Sequence, residues 1–121
     1  MAYDEELADR VRAALAAVRG VAEIKMFGGL CYTVGGNMAV GVLKEDLLVR
    51  LAPDDGDAAL GEPGVELMSV GGRTSRGFLA VGPGATSTPK ELQTWVDRGV
   101  AYASSLPPRA KKAKQSKKVK T

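Results

Sequence analysis

The tightest constraint on the fold lies between Val21 and Leu51, where apolar runs are separated by turns too short for anything but antiparallel hairpins. Leu30–Val34 and Met38–Leu43 flank Gly35-Gly36-Asn37, residue types that accept positive φ in a tight turn. Lys44-Glu45-Asp46 then leads into Leu47–Leu51. A parallel pairing needs a crossover of about a dozen residues. This half of the chain therefore reads as an antiparallel meander, preceded by a further strand over Val21–Phe27. The meander is entered through Met26-Phe27-Gly28-Gly29. That glycine pair reads as a bulge or tight bend, with Phe27 and Met26 filling the core.

Period-two alternation sorts the hairpin faces. Leu30, Tyr32 and Val34 share one side with Met38, Val40 and Val42, a bulky apolar surface suited to packing on helices. The other side carries Cys31, Thr33, Ala39 and Gly41. Such a small-residue face is either solvated or closely approached by another backbone.

Two helices bracket the strands. Leu7, Val11, Leu15 and Val18 recur at helical spacing over Asp4–Arg19, with Asp4 as N-cap and Gly20 as stop. Thr88-Pro89-Lys90-Glu91 supplies a capping box and an N1 proline for a helix to Leu106, buried along Leu92, Trp95, Val96 and Gly99. Between them, Asp55–Leu60 is long enough for one or two helical turns, and Val65–Val70 and Arg76–Val81 read as strands. The fold class is α+β: a two-layer sandwich with an antiparallel sheet. Its order is helix, a meander of three to four strands, short helix, one to two further strands, C-terminal helix. Pro107-Pro108 stops the last helix, giving a domain over 1–107 and a lysine-rich, disordered tail over 108–121.

Charge is divided between the two parts. Arg109, Lys111, Lys112, Lys114, Lys117, Lys118 and Lys120 are the only charged residues after 108. Removing these 7 from 17 basic residues leaves 10 against all 14 acidic ones, so residues 1–108 carry −4 and the tail +7. The tail suits the phosphate backbone of nucleic acid without base readout. It lacks aromatic residues for stacking on single strands and an apolar membrane anchor. The bland alternative is a solubilising tail with no specific partner.

Little else carries chemistry. There is no histidine, which removes the commonest general base and metal ligand together. Cys31 is the single cysteine, so no internal disulfide forms, and a buried inert thiol is expected. Gly71-Gly72-Arg73-Thr74-Ser75 and Gly82-Pro83-Gly84 lack the spacing of phosphate loops, and Asp54, Asp55 and Asp57 lack the remaining ligands of a calcium loop. Arg50, Arg73 and Arg76 are read as scattered surface charge rather than a convergent anion site. No catalytic residue, cofactor, metal or small-molecule substrate is assigned. The acidic N-terminus and the absence of a long apolar run point to the cytoplasm.

The residues Lys25-Met26-Phe27-Gly28-Gly29-Leu30 resemble the TfoX N-terminal domain family. So do Met38-Ala39-Val40-Gly41-Val42, the later Gly72-Arg73 and Gly77-Phe78 pieces, and the closing Leu92, Trp95, Val96, Ala101-Tyr102-Ala103 and Leu106-Pro107. The resemblance spans roughly residues 3–107. It implies an antiparallel α+β fold in a bacterial cytoplasmic protein related to competence regulators, with no settled catalytic residues. Those regulators join this domain to a second one, where this chain has a basic tail. The expected role is a non-enzymatic regulator or adaptor tethered to nucleic acid by its tail. The alternative is a protein-interaction module, homodimerising in its simplest form, that uses the small-residue face or an edge strand.

Overall fold

The computed structural model describes residues 3–26, 28–69 and 72–107. Helix α1 (Glu5–Ala14) is followed by strands β1 (Val21–Met26), β2 (Gly29–Val34), β3 (Asn37–Leu43) and β4 (Asp46–Arg50). Helix α2 (Pro53–Ala59), strands β5 (Val65–Leu67) and β6 (Phe78–Val81), a 3₁₀ turn (Pro83–Ala85) and helix α3 (Pro89–Ser105) complete it. The six strands form one antiparallel sheet in the order β1-β2-β3-β4-β6-β5. The α+β class and the helix–meander–helix arrangement match the sequence expectation.

Turn chemistry accounts for the meander. Gly35 and Gly36 join β2 to β3 as a two-residue loop with φ of 61° and 86°, the left-handed pair a tight hairpin demands. The register then lays residues in rows across the sheet. Leu30, Val42, Leu47, Val81 and Val65 form one row, and Tyr32, Val40, Val49, Leu79 and Leu67 another. Both rows face the helices and join Leu7, Ala8, Val11, Ala59, Leu92, Trp95 and Val96 in one core cluster. Each fully buried Val or Leu contributes roughly 1.5–3 kcal/mol relative to exposure.

Met38 does not lie on the helix side of the hairpin. Strict alternation puts Met38 beside Val40 on the helix side. Instead the register steps from Tyr32↔Val40 to Thr33↔Met38, leaving Ala39 as the extra residue of a bulge. Ala39 is fully buried with Val34 and Ala103, while Met38 is only partly buried and joins neither core cluster. Helix α3 packs directly on this bulge. A Cβ at Gly99 would overlap the Ala39 carbonyl oxygen and lie 2.9 Å from Val40 Cγ1. The close backbone approach expected on the small-residue side thus occurs on the helix side.

Helix ends follow their caps. Asp4 accepts from the Glu6 and Leu7 amides at 2.9 and 3.1 Å, filling two orphan donors of α1. The apolar spacing predicts α1 to Arg19, but it stops at Ala14. The chain has to turn back into β1, and Val18 and Val21 pack on the Val34–Ala39–Ala103 cluster, so tertiary packing overrides propensity. At α3 the Thr88 hydroxyl accepts from the Glu91 amide at 3.1 Å, and the Glu91 carboxylate accepts from the Thr88 amide at 3.1 Å, the capping box read from sequence. The last strands are shorter than expected: β5 ends at Leu67, before Met68 and Ser69, Val70 lies outside the described residues, and β6 starts at Phe78, with Arg76 bonded to Asp54 and Asp57 instead. Asn37 is almost wholly buried, and its amide donates to the Pro107 carbonyl at 2.8 Å. This bond fixes the end of the described chain against the β2–β3 hairpin.

Candidate interaction surfaces

The sheet side away from the helices is organised by the row between the two core rows: Ile24, Cys31, Gly41, Leu48, Ala80 and Glu66. Cys31 and Leu48 are buried, yet neither belongs to a core cluster that the helices share. Glycines make room for their neighbours here. A Cβ on Gly41 would lie 3.4 Å from Leu48 Cδ1, and one on Gly29 would lie 3.2 Å from Leu43 Cδ1. Large side chains therefore lie flat over glycines of the adjoining strand, and the small-residue face expected for Cys31, Thr33 and Gly41 is an apolar surface. At its β1 margin Ile24 is 46% exposed, the one exposed large hydrophobic among the described residues. Burial raises the Cys31 thiol pKa, so the thiolate is disfavoured, as expected of an inert cysteine.

On the helix side, Glu23 of β1 receives two bonds from Arg12 of α1, at 2.8 and 3.1 Å, and Arg12 also bonds Asp9 at 2.8 Å. The Arg12 hydrogen bond holds the Glu23 carboxyl below the usual glutamate range. Tyr32 lies beneath this group. Its hydroxyl is buried without a well-formed hydrogen bond among the described residues, and burial, then the Glu23 carboxylate, raises the phenol pKa. Sequence reasoning missed this group, because its members come from α1, β1 and β2 and share no motif.

Two clefts flank α3. One, of about 400 Å³, is lined by residues including Glu62, Lys90, Glu91, Trp95 and Arg98. Arg98 stacks 4.3 Å from the Trp95 ring centroid and pairs with Glu62 at 3.3 Å. The other, of about 460 Å³, is lined by residues including Leu51, Asp55, Arg98 and Tyr102. The arginines singled out in the sequence do not converge. Arg50 lies 5.1 Å from the Phe78 ring and 5.5 Å from the Tyr102 ring, Arg76 bonds Asp57 and Asp54, and Arg73 is exposed. Asp57 and Asp54 are thereby joined to a guanidinium, which holds the Asp57 carboxyl low. Among the described residues no group of three carboxylate, thiol or imidazole side chains is set to hold a metal, and no helix is long and apolar enough to cross a membrane.

Of the motif Met26-Phe27-Gly28-Gly29, Gly28 has a φ of 79° and Gly29 opens β2 under Leu43. This is the backbone role expected of the glycine pair. Phe27 and the Met26 side chain, and with them the expected core filling, lie outside the described residues. So do Arg109, Lys111, Lys112, Lys114, Lys117, Lys118 and Lys120.

No curated protein and no solved structure matches the chain. The family model of the TfoX N-terminal domain matches residues 13–103, from the end of α1 through the sheet and nearly all of α3. That span is well over half of the 121 residues, and the chain belongs to the TfoX N-terminal domain family.

Proposed function

We propose that this protein is a non-enzymatic regulator or adaptor that contacts nucleic acid through its basic tail and presents its folded body to other proteins. Membership of a family named for a competence regulator supports the regulatory part. The observation that carries the nucleic-acid part is the charge division, +7 over residues 109–121 against −4 over 1–108. An acidic body is repelled by phosphate, so binding is confined to the tail and independent of base sequence. Arg76 is paired with Asp54 and Asp57, and Arg12 with Asp9 and Glu23. That favours a binding role over catalysis. The test is duplex affinity of the full chain over a salt series, beside a chain with the seven tail cations changed to Gln. Loss of affinity in the neutralised chain supports the reading, and equal affinity overturns it.

A second reading is favoured by the apolar row through Ile24, Cys31, Gly41 and Leu48 and by the exposure of Ile24 at its margin. Here the protein is an interaction module, homodimerising in its simplest form, and the tail serves only solubility. Sedimentation of the full chain without nucleic acid tests it: self-association supports it, and a monomer at high concentration counts against it.

A further inference from the structure

The outer edge of β1 is a free strand edge among the described residues. Among the described residues β1 ends the sheet, six residues long, with β2 on one side only. The Gly35 amide donates to the Gly20 carbonyl at 3.2 Å, which fixes the hydrogen-bonding parity of this ladder. Ala22, Ile24 and Met26 turn their backbone groups toward β2. Val21, Glu23 and Lys25 turn theirs outward, and among the described residues no backbone–backbone bond outside the strand ladders takes these groups. Long unpaired edges of this kind invite another strand.

We propose that the occupant of this edge is β1 of a second copy, antiparallel about a two-fold axis at Ile24, giving one continuous twelve-stranded sheet. The proposal rests on the homodimerising reading and adds the register. Only outward-facing residues can exchange backbone bonds, so the two-fold axis has few settings. Centred on Glu23 it sets carboxylate against carboxylate, and centred on Lys25 it sets ammonium against ammonium. Centred on Ile24 it places Glu23 of each copy directly opposite Lys25 of the other, with the 23 and 25 amides and carbonyls bonded across the axis. Opposite charges in directly facing pairs attract and like charges repel, so the same two residues select this register and reject its neighbours. Glu23 and Lys25 lie on the helix side of β1, where Arg12 already engages Glu23. On the other side the two Ile24 side chains meet as a non-hydrogen-bonded pair, the closely spaced kind. The exposed isoleucine is thereby covered, and the apolar row of each copy runs on into that of the other.

The experiment is sedimentation equilibrium of the full chain in nucleic-acid-free buffer. The wild type forms a concentration-dependent dimer. Lys25→Glu sets Glu23 against a glutamate twice per dimer, and Glu23→Lys sets Lys25 against a lysine twice. Each weakens self-association by about tenfold or more, from the sign reversal of two facing pairs. Mixed one to one, the two variants associate with each other, because every facing pair is then opposite in charge. Lys25→Glu leaves the Arg12–Glu23 pair in place, so its circular dichroism and urea midpoint stay near wild type and separate lost pairing from lost folding. A wild-type monomer overturns this proposal and the homodimer reading together. A dimer indifferent to both variants, or variants that fail to associate on mixing, overturns the β1 pairing while leaving a homodimer through another surface.

Discussion

Gly99→Ala tests the contact between α3 and the bulged strand. Propensity alone favours the change, since alanine in a helix interior is better than glycine by about 1 kcal/mol. The structure opposes it. The new methyl would overlap the Ala39 carbonyl oxygen, with the Ala39 carbonyl carbon at 3.1 Å and Val40 Cγ1 at 2.9 Å. Two of these three atoms are backbone in the middle of the sheet, so the neighbour that yields is α3 itself. Lifting it loosens Trp95, Val96 and Ala103, all buried against the sheet. Overpacking a tight core costs about 1–3 kcal/mol. Because lifting the helix exposes several side chains at once, we place this case near the upper end. With the propensity gain subtracted, the net loss is about 1–2 kcal/mol, or roughly 5–15 °C in Tm for a domain of this size. Gly84→Ala is the control. No atom lies within 4 Å of a Cβ there and the backbone φ is not positive, so only the unfolded state is affected. The expected change is a gain of up to about 0.5–1 kcal/mol. Urea unfolding with linear extrapolation reads both variants. A more stable Gly99→Ala protein would refute the close-approach argument.

Three further outcomes follow from local geometry. Thr88→Ala removes one half of the α3 capping box and lowers stability by about 1 kcal/mol in the same urea assay. Tyr32→Phe removes a buried hydroxyl that has no well-formed hydrogen bond, so it is neutral or stabilising by up to about 1 kcal/mol, and a loss above that would show a bond is made. Folding lowers the Glu23 pKa from 4.5, so below about that pH the unfolded chain binds more protons; stability is full above it and falls as pH drops through the lower folded value. Urea midpoints from pH 6 to pH 3 fall in the wild type and fall less steeply in Glu23→Gln.

The sequence carried the fold where signals were local. Gly35-Gly36, the Asp4 cap and the Thr88–Glu91 box each named their element, because a turn or cap is settled by a few adjacent residues. It failed where a distant partner decides. Period two could not show the bulge at Ala39, or that α3 packs on it through Gly99, sixty positions away. Nor could helical spacing show that α1 stops at Ala14, where packing of Val18 takes over. Of the candidate surfaces, the small-residue side was legible for Cys31, Thr33 and Gly41. That Leu48 and Leu43 lie over its glycines needed the register. The Arg12–Glu23–Tyr32 group and the charge alternation along the β1 edge acquire meaning only once α1, β1 and β2 are placed together.

The proposed role is tested most directly by the salt dependence of duplex DNA binding. With all seven tail cations engaged, the logarithm of the binding constant falls against the logarithm of salt concentration with a slope of about −6, whatever the base sequence. In the chain whose tail cations are changed to Gln, that slope collapses toward zero and binding is lost. Binding that persists in the neutralised chain, or a full chain whose affinity is indifferent to salt, would contradict a regulator held on nucleic acid by its tail.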